Sequence, residues 1–248
     1  MGEAARTRGR RRAGVATTAL KRRLLRWGVC LVLVATAIPV LPILALRWIP
    51  PLTSAFMLRE QLSSTCDSIE YDWVGRGAIA PSVFLAVLAA EDQRFVRHDG
   101  FDFDAIGDAL ERRRGKSPRG ASTISQQVAK NLFLWPERSW LRKAAEAWLT
   151  VWIEALWPKP RILEVYVNVA QFGPCTFGIA AASRRFFDRE PGRLGLEEAA
   201  LLAAVLPNPD ERRADAPSAR VRERAEWIKG QARRLARSDG LAGLNSSH

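Results

Sequence analysis

The 248-residue sequence is poor in cysteine, and its three cysteines, Cys30, Cys66 and Cys175, stand far apart. That scatter excludes the close ligand spacing of a zinc site and the dense disulfide framework of a small secreted domain. Packing is their plainest role, and a Cys66–Cys175 bridge stays open if both lie outside a membrane. His98 also lacks a partner at metal-ligand spacing. No repeat or low-complexity block precedes the tail at 239–248, so the chain is not a repeat array. Charge is missing from one long stretch: between Trp27 and Leu46 there is no Asp, Glu, Lys or Arg.

Such a run, at about 1.5 Å per helical residue, spans roughly 30 Å, the hydrocarbon thickness of a bilayer. It predicts one transmembrane helix over residues 27–49, with Trp27 and Trp48 as interfacial aromatics. Ala35-Thr36-Ala37 resembles a signal-peptidase site, but the apolar run continues through Leu46, which a removed leader does not need. Pro39 and Pro42 are tolerable inside a membrane. The basic tail at 1–26 has nine Lys and Arg against Glu3, a surplus of +8 out of a net charge of +12. By the positive-inside rule it stays in the cytoplasm and the rest of the chain lies outside the cytoplasmic membrane. With only +4 left for the remainder, no nucleic-acid partner is expected.

Residues 50–70 read as a linker or stem, 71–236 as one domain and 237–248 as a flexible tail. The domain's apolar residues recur at three and four, and Ala, Leu, Glu and Arg abound, so an all-α fold is predicted. Expected helices are Pro81–Val96, Thr123–Leu134, Ser139–Trp157, Ile162–Asn168, Thr176–Phe187, Leu196–Leu206 and Ser218–Ala236. Gly115 to Gly120, with Lys116, Pro118 and Arg119, reads as an exposed mobile loop. Thr123 and Gln126 form a capping-box pattern at the start of the next helix.

On the helix opened by Pro81, Phe84, Val87, Leu88, Glu91 and Phe95 fall on one stripe. A carboxylate among apolar residues has its charged form disfavoured, which suits a general base near neutral pH. The plainer alternative, which spacing alone favours, puts Glu91 at the rim of the stripe, neutralised by an arginine. Glu146 stands one turn beyond Arg142, and an ordinary surface pair worth roughly 0.2–0.5 kcal/mol explains that spacing equally well. Trp135, Trp140, Trp148, Trp152 and Trp157, together with Phe101, Phe103 and Ile106, suggest a face that dips into the outer leaflet, although some of these must be core.

Glu91-Asp92-x-x-Phe95-x-x-His98-x-Gly100 resembles the first signature of the peptidoglycan glycosyltransferases. Four further stretches resemble the family's remaining motifs in order. They are Gly120-Ala121-Ser122-Thr123-Ile124-Ser125-Gln126-Gln127 with Lys130 and Asn131, Arg142-Lys143-x-x-Glu146, Lys159 to Asn168, and Ala199 to Pro209. The resemblance covers about Tyr71 to Trp227 and is greatest to the monofunctional members. No Ser-x-x-Lys of a penicillin-binding domain follows. Ala121 replaces a common glycine, and Phe186-Phe187 a pair that often contains tyrosine.

The resemblance implies a lysozyme-like helical domain and an inverting transfer that joins lipid II into a growing lipid-linked glycan chain in cell wall synthesis. It implies that Glu91 takes the proton from the acceptor's 4-hydroxyl. Lys130, Arg142 and Lys143 would balance the undecaprenyl pyrophosphate leaving group. Glu146 becomes a second essential carboxylate, orienting the pyrophosphate or a Mg or Mn ion bound to it; the two remain open. Asp92, Ser122, Thr123, Gln127 and Asn131 would bind substrate, while Ser122 and Thr123 also suffice as helix caps. His98, Glu164 and Tyr166 read as structural. The rival enzyme class, a glycoside hydrolase, also uses a carboxylate pair but leaves Lys130, Arg142 and Lys143 unexplained. A membrane-tethered scaffold for other wall-building proteins would have no need of Glu91.

Overall fold

A computed structural model of the chain describes residues 21–29, 34, 37–38, 40–63, 66–105, 107, 122–137 and 139–237. It forms two compact units, residues 1–45 and 46–248. Residues 21–29 and 40–45 of the first are helical. Parts of the expected span at 27–49, namely 30–33, 35–36 and 39, lie outside the described residues, as does the whole Gly115–Gly120 loop. Among the described residues no helix is long and apolar enough to cross a membrane.

The second unit begins at Leu46, so the segment expected as a stem belongs to it. That segment contains helix α1 (Ala55–Leu62), opened by the Ser54 hydroxyl accepting the Met57 N–H at 3.2 Å. Arg161 fixes the residues before α1. Its Nε and Nη2 donate to Leu46 O at 3.1 and 2.8 Å, Nη2 to Ile49 O at 2.9 Å, and Nη1 to Glu164 at 2.7 Å.

Further helices of this unit are α2 (Pro81–Glu91), α3 (Ile124–Phe133), α4 (Trp140–Leu156), α5 (Lys159–Val169), α6 (Ile179–Phe187), α7 (Leu196–Val205) and α8 (Ala219–Arg237). Most match the expected spans closely. Helix α5 starts earlier than expected, at Lys159, because Pro160 in its first turn costs no hydrogen bond. The capping box at Thr123 and Gln126 is formed by both of its bonds. Two expectations fail. The helix over Pro81–Val96 stops at Glu91: Asp92 turns out of helical geometry at φ −161°, ψ 82°, and Phe95 is buried in a separate short turn. The stripe that carries Glu91 therefore ends with it.

The fold is mostly helical, as expected, but the helix expected from Thr176 starts later and a small sheet takes its first residues. Strands β1 (Glu70–Tyr71), β2 (Gln171–Gly173) and β3 (Thr176–Phe177) make a sheet in the order β1-β3-β2, with β1 parallel and β2 antiparallel to β3. Thr176 and Phe177, expected in a helix, are strand because Gly178 interrupts the chain at φ +80°. A Cβ there would meet Asn168 O at 2.6 Å, so only glycine permits the turn into α6. The sheet is tied by a Cys66–Cys175 disulfide and by the Glu70 N–H donating to Cys175 O at 2.8 Å.

Helices α2, α7 and α8 pack together, as do α3, α4 and α5, and α5 also touches α2. The buried residues of α2 and α7 are all apolar, as expected of helices enclosed on most sides. Glu91 closes one of those apolar helices, where α3, α5 and α8 converge on it.

Candidate active site

Glu91 retains 14% side-chain exposure at the end of α2. Its Oε2 accepts from Gln127 Nε2 on α3 at 3.0 Å, and its Oε1 lies 3.5 Å from Arg224 Nη2 on α8. Burial pushes the Glu91 carboxyl above its ordinary value; Gln127, Arg224 and Lys130 pull it down and Asp92 pushes it up, with the net direction upward. The two readings of this position thus coexist: the carboxylate lies against apolar packing and an arginine stands at its rim. Tyr166 on α5, 1% exposed, donates its hydroxyl to Gln127 Oε1 at 3.1 Å.

Asp92 turns inward instead. Its carboxylate meets His98 Nε2 at 3.0 and 3.1 Å and accepts the Ile124 N–H at 3.0 Å, holding the first turn of α3. His98 Nδ1 accepts from the Gly100 N–H, and Thr123 Oγ1 donates to Gly100 O at 2.7 Å. This buried network sets the angle between the end of α2 and the start of α3, so it positions Glu91 against Gln127. His98 is the structural hydrogen-bonding residue that its sequence surroundings suggested. Thr123 is 3% exposed and engaged in the cap, whereas Ser122 beside it is exposed.

The second carboxylate lies between α3 and α4. Glu146 has 3% side-chain exposure, with Arg142 Nη1 at 2.5 Å from Oε2 and Lys143 Nζ bound to Oε1. This is no surface pair. Lys143 also reaches Ser122 Oγ at 3.5 Å. Lys130, one turn past Gln127, lies in the field of both glutamates. Burial pushes its ammonium below the ordinary lysine value; Glu146 and Glu91 raise it, and Arg142 and Lys143 lower it. Asn131, next on α3, is buried. Among the described residues, Arg142 Nε is buried without a hydrogen-bond partner, as is Arg224 Nε. Unpaired buried N–H groups are donors that lack an acceptor.

The structure thus gathers Glu91, Gln127, Lys130, Arg142, Lys143, Glu146 and Ser122 around one side of α3. Both Glu146 oxygens already hold cations, and among the described residues no group of three His, Cys, Asp or Glu could hold a metal ion. The donor set suits an anion rather than a protein-held cation.

Two residues escaped sequence reasoning. Arg224 lies far beyond the motifs, and only the packing of α8 on α2 brings it to Glu91. The second is Arg212, which precedes α8: its guanidinium donates to Ala204 O at 3.0 Å and is pushed down by burial, then by Arg224 and Arg220. Of the aromatic group, Trp140 is 92% and Phe103 75% exposed, Trp135 is part exposed, and Trp157 is core. Ile106 lies outside the described residues.

The transglycosylase family profile matches residues 59–233. A biosynthetic peptidoglycan transglycosylase of Klebsiella oxytoca is 53% identical over 207 residues, covering 81% of this chain and 85% of the relative. One from Pseudomonas savastanoi pv. phaseolicola is 48% identical over 213 residues, covering 84% and 90%. One from Pectobacterium atrosepticum is 47% identical over 233 residues, covering 91% and 94%.

Proposed function

The chain belongs to the transglycosylase family, and from that premise we propose that it polymerises lipid II into β-1,4-linked peptidoglycan strands, releasing undecaprenyl pyrophosphate. The observation that carries the reading is one mostly enclosed carboxylate, Glu91, raised above its ordinary value, and a second, buried Glu146, amid cations, both acting on Lys130.

Glu91 takes the proton of the acceptor sugar's 4-hydroxyl. The oxygen attacks the donor's anomeric carbon from the face opposite the pyrophosphate, the new glycosidic bond forms with inversion, and the bond to the pyrophosphate breaks. Lys130, Arg142 and Lys143 balance the negative charge that develops on the leaving oxygen, and low exposure strengthens the attraction of Arg142 above all. The Arg142 Nε–H, without a partner among the described residues, is a donor for that anion. Glu146 holds Arg142 and Lys143 in place and so orients the pyrophosphate. Ser122 and Asn131 bind the donor. Asp92, Thr123 and Gln127 shape the site, the first two through the turn before α3. A hydrolase has no comparable anion to balance, which leaves this cation group without a purpose. Where a Mg or Mn ion accompanies the pyrophosphate, the substrate brings it.

The enzyme works, in this reading, as a single-pass protein of the cytoplasmic membrane with its catalytic domain outside. The charge asymmetry around residues 27–49 supports this, as do exposed apolar side chains such as Trp140, Leu141 and Phe103. The Cys66–Cys175 disulfide, which needs an oxidising compartment, supports it too.

The test supplies the detergent-solubilised chain with lipid II and a divalent cation and compares it with Glu91→Gln. Polymer from wild type and almost none from the variant is expected. Equal polymer from both would place the base elsewhere, and none from well-folded wild type would remove the enzymatic reading.

A further inference from the structure

We propose that Tyr166 is a positioning residue for the reaction: through the side-chain amide of Gln127 it sets the protonation of Glu91. The inference rests on Glu91 being the base, but its geometry stands by itself. Three side chains from three helices form one chain, from the Tyr166 hydroxyl to Gln127 Oε1 at 3.1 Å and from Gln127 Nε2 to Glu91 Oε2 at 3.0 Å.

An ionised carboxylate can only accept. While Glu91 is charged, Gln127 must present its NH₂ to it and point its oxygen away, toward Tyr166. The buried hydroxyl then has a good acceptor. If the amide turned over, its oxygen would face Glu91 and suit only the protonated acid, and the tyrosine would have to accept from the NH₂. The tyrosine's own hydrogen would then lack an acceptor, since among the described residues its hydroxyl bonds only to Gln127. An unmade hydrogen bond at a buried donor is costly. Tyr166 therefore biases the amide toward the orientation that stabilises the carboxylate, and it does so without touching Glu91.

Other groups also face Glu91. Lys130 on α3, Arg224 on α8 and Arg212 before it are cations, and Asp92 is the neighbouring anion. All are unchanged by a Tyr166→Phe substitution, which keeps the ring in its place and removes the hydroxyl alone. Burial, with Glu91 and Asp92 nearby, pushes the Tyr166 hydroxyl well above its ordinary value. It therefore remains a donor wherever the enzyme works.

The test has two readouts on the full chain in detergent. The first is an infrared titration of the protonated Glu91 carboxyl band, identified by its disappearance in Glu91→Gln. Its midpoint should move to higher pH in Tyr166→Phe, and further in Gln127→Leu, which deletes the donor itself. The second is kcat/KM for lipid II polymerisation against pH. On the acid limb Tyr166→Phe should be roughly three- to tenfold slower than wild type, as loss of part of one hydrogen bond to a charged group implies. It should rejoin wild type on the plateau.

A lowered plateau with an unmoved infrared midpoint would make Tyr166 a packing residue and overturn the proposal, as would a midpoint unmoved in Gln127→Leu. Persisting polymerisation by Glu91→Gln would instead remove the base assignment. The infrared midpoints would still decide whether the relay exists.

Discussion

The two glutamates of the site are held in opposite ways. Both oxygens of Glu146 are taken by Arg142 and Lys143, which lie within one turn of it on α4. Glu91 has no cation on its own helix; an amide from α3 and an arginine from α8 reach it, the latter only at 3.5 Å. A carboxylate clasped by two neighbouring cations organises positive charge. One held by a neutral amide and a loosely placed guanidinium is free to gain and lose a proton. On the proposed mechanism the same side chain serves as a strut in one region and as a base in the other, and the difference lies in where its partners sit along the chain.

The largest effect that sharpens this contrast is loss of turnover without loss of fold. Glu91→Gln should cut polymerisation by about 10² to 10⁴ while leaving the denaturation midpoint undiminished, because the amide keeps the shape and removes a disfavoured charge. Glu146→Gln should also lose activity, but it should unfold more readily. Breaking a buried pair costs about 3–5 kcal/mol; we expect the lower end, since the Lys143 side chain is 43% exposed. Chemical denaturation of both variants checks this. If Glu91→Gln proves the less stable of the two, the contrast is wrong.

A smaller effect distinguishes the two arginines. Arg142→Ala removes a donor that the proposal aims at the leaving group and should lower kcat about 10²-fold across the whole pH range. Arg224→Met removes a charge that pulls the Glu91 carboxyl down, so its defect should be confined to the acid limb of the rate profile. A uniform loss in Arg224→Met would make that residue a substrate contact.

The contrast also explains what was legible in the sequence. The Glu146 group could be read because Arg142, Lys143 and Glu146 are neighbours on one helix; its burial could not, because that depends on α3 lying across α4. Glu91 announced itself by its apolar surroundings, yet its partners Gln127 and Arg224 are 36 and 133 residues away, and no local pattern records which helices meet. Tyr166 looked structural for the same reason: its ring is core and only its hydroxyl reaches Gln127. The helices were legible from periodicity and caps. The strands were not, since two- and three-residue segments are too short to show alternation. The Cys66–Cys175 bridge, left open by spacing alone, is settled by the parallel pairing of β1 with β3, which brings the two cysteines to one end of the sheet.

The pH dependence of the working enzyme follows from the same asymmetry. As the proposed base Glu91 must be ionised, and its carboxyl is raised above 4.5 by burial, so activity should rise only as pH passes that raised value. Lys130 must be charged, and burial lowers it below 10.5, so activity should fall before an ordinary lysine would titrate. The profile is a bell narrowed from both sides, measurable as kcat/KM against pH.

Stability carries a fainter copy of the acid limb. Because the folded state raises the Glu91 carboxyl, the native protein binds its proton more tightly than the unfolded chain does. The resulting stabilisation is full below the unfolded value and lost as pH climbs through the folded one. Glutamine, which cannot ionise, escapes that loss. The melting temperature of Glu91→Gln should therefore gain on wild type as pH rises through the window and then hold a constant lead. A lead that shrinks with rising pH would mean that Arg224, Lys130 and Gln127 together outweigh burial, and that Glu91 is a strut like Glu146.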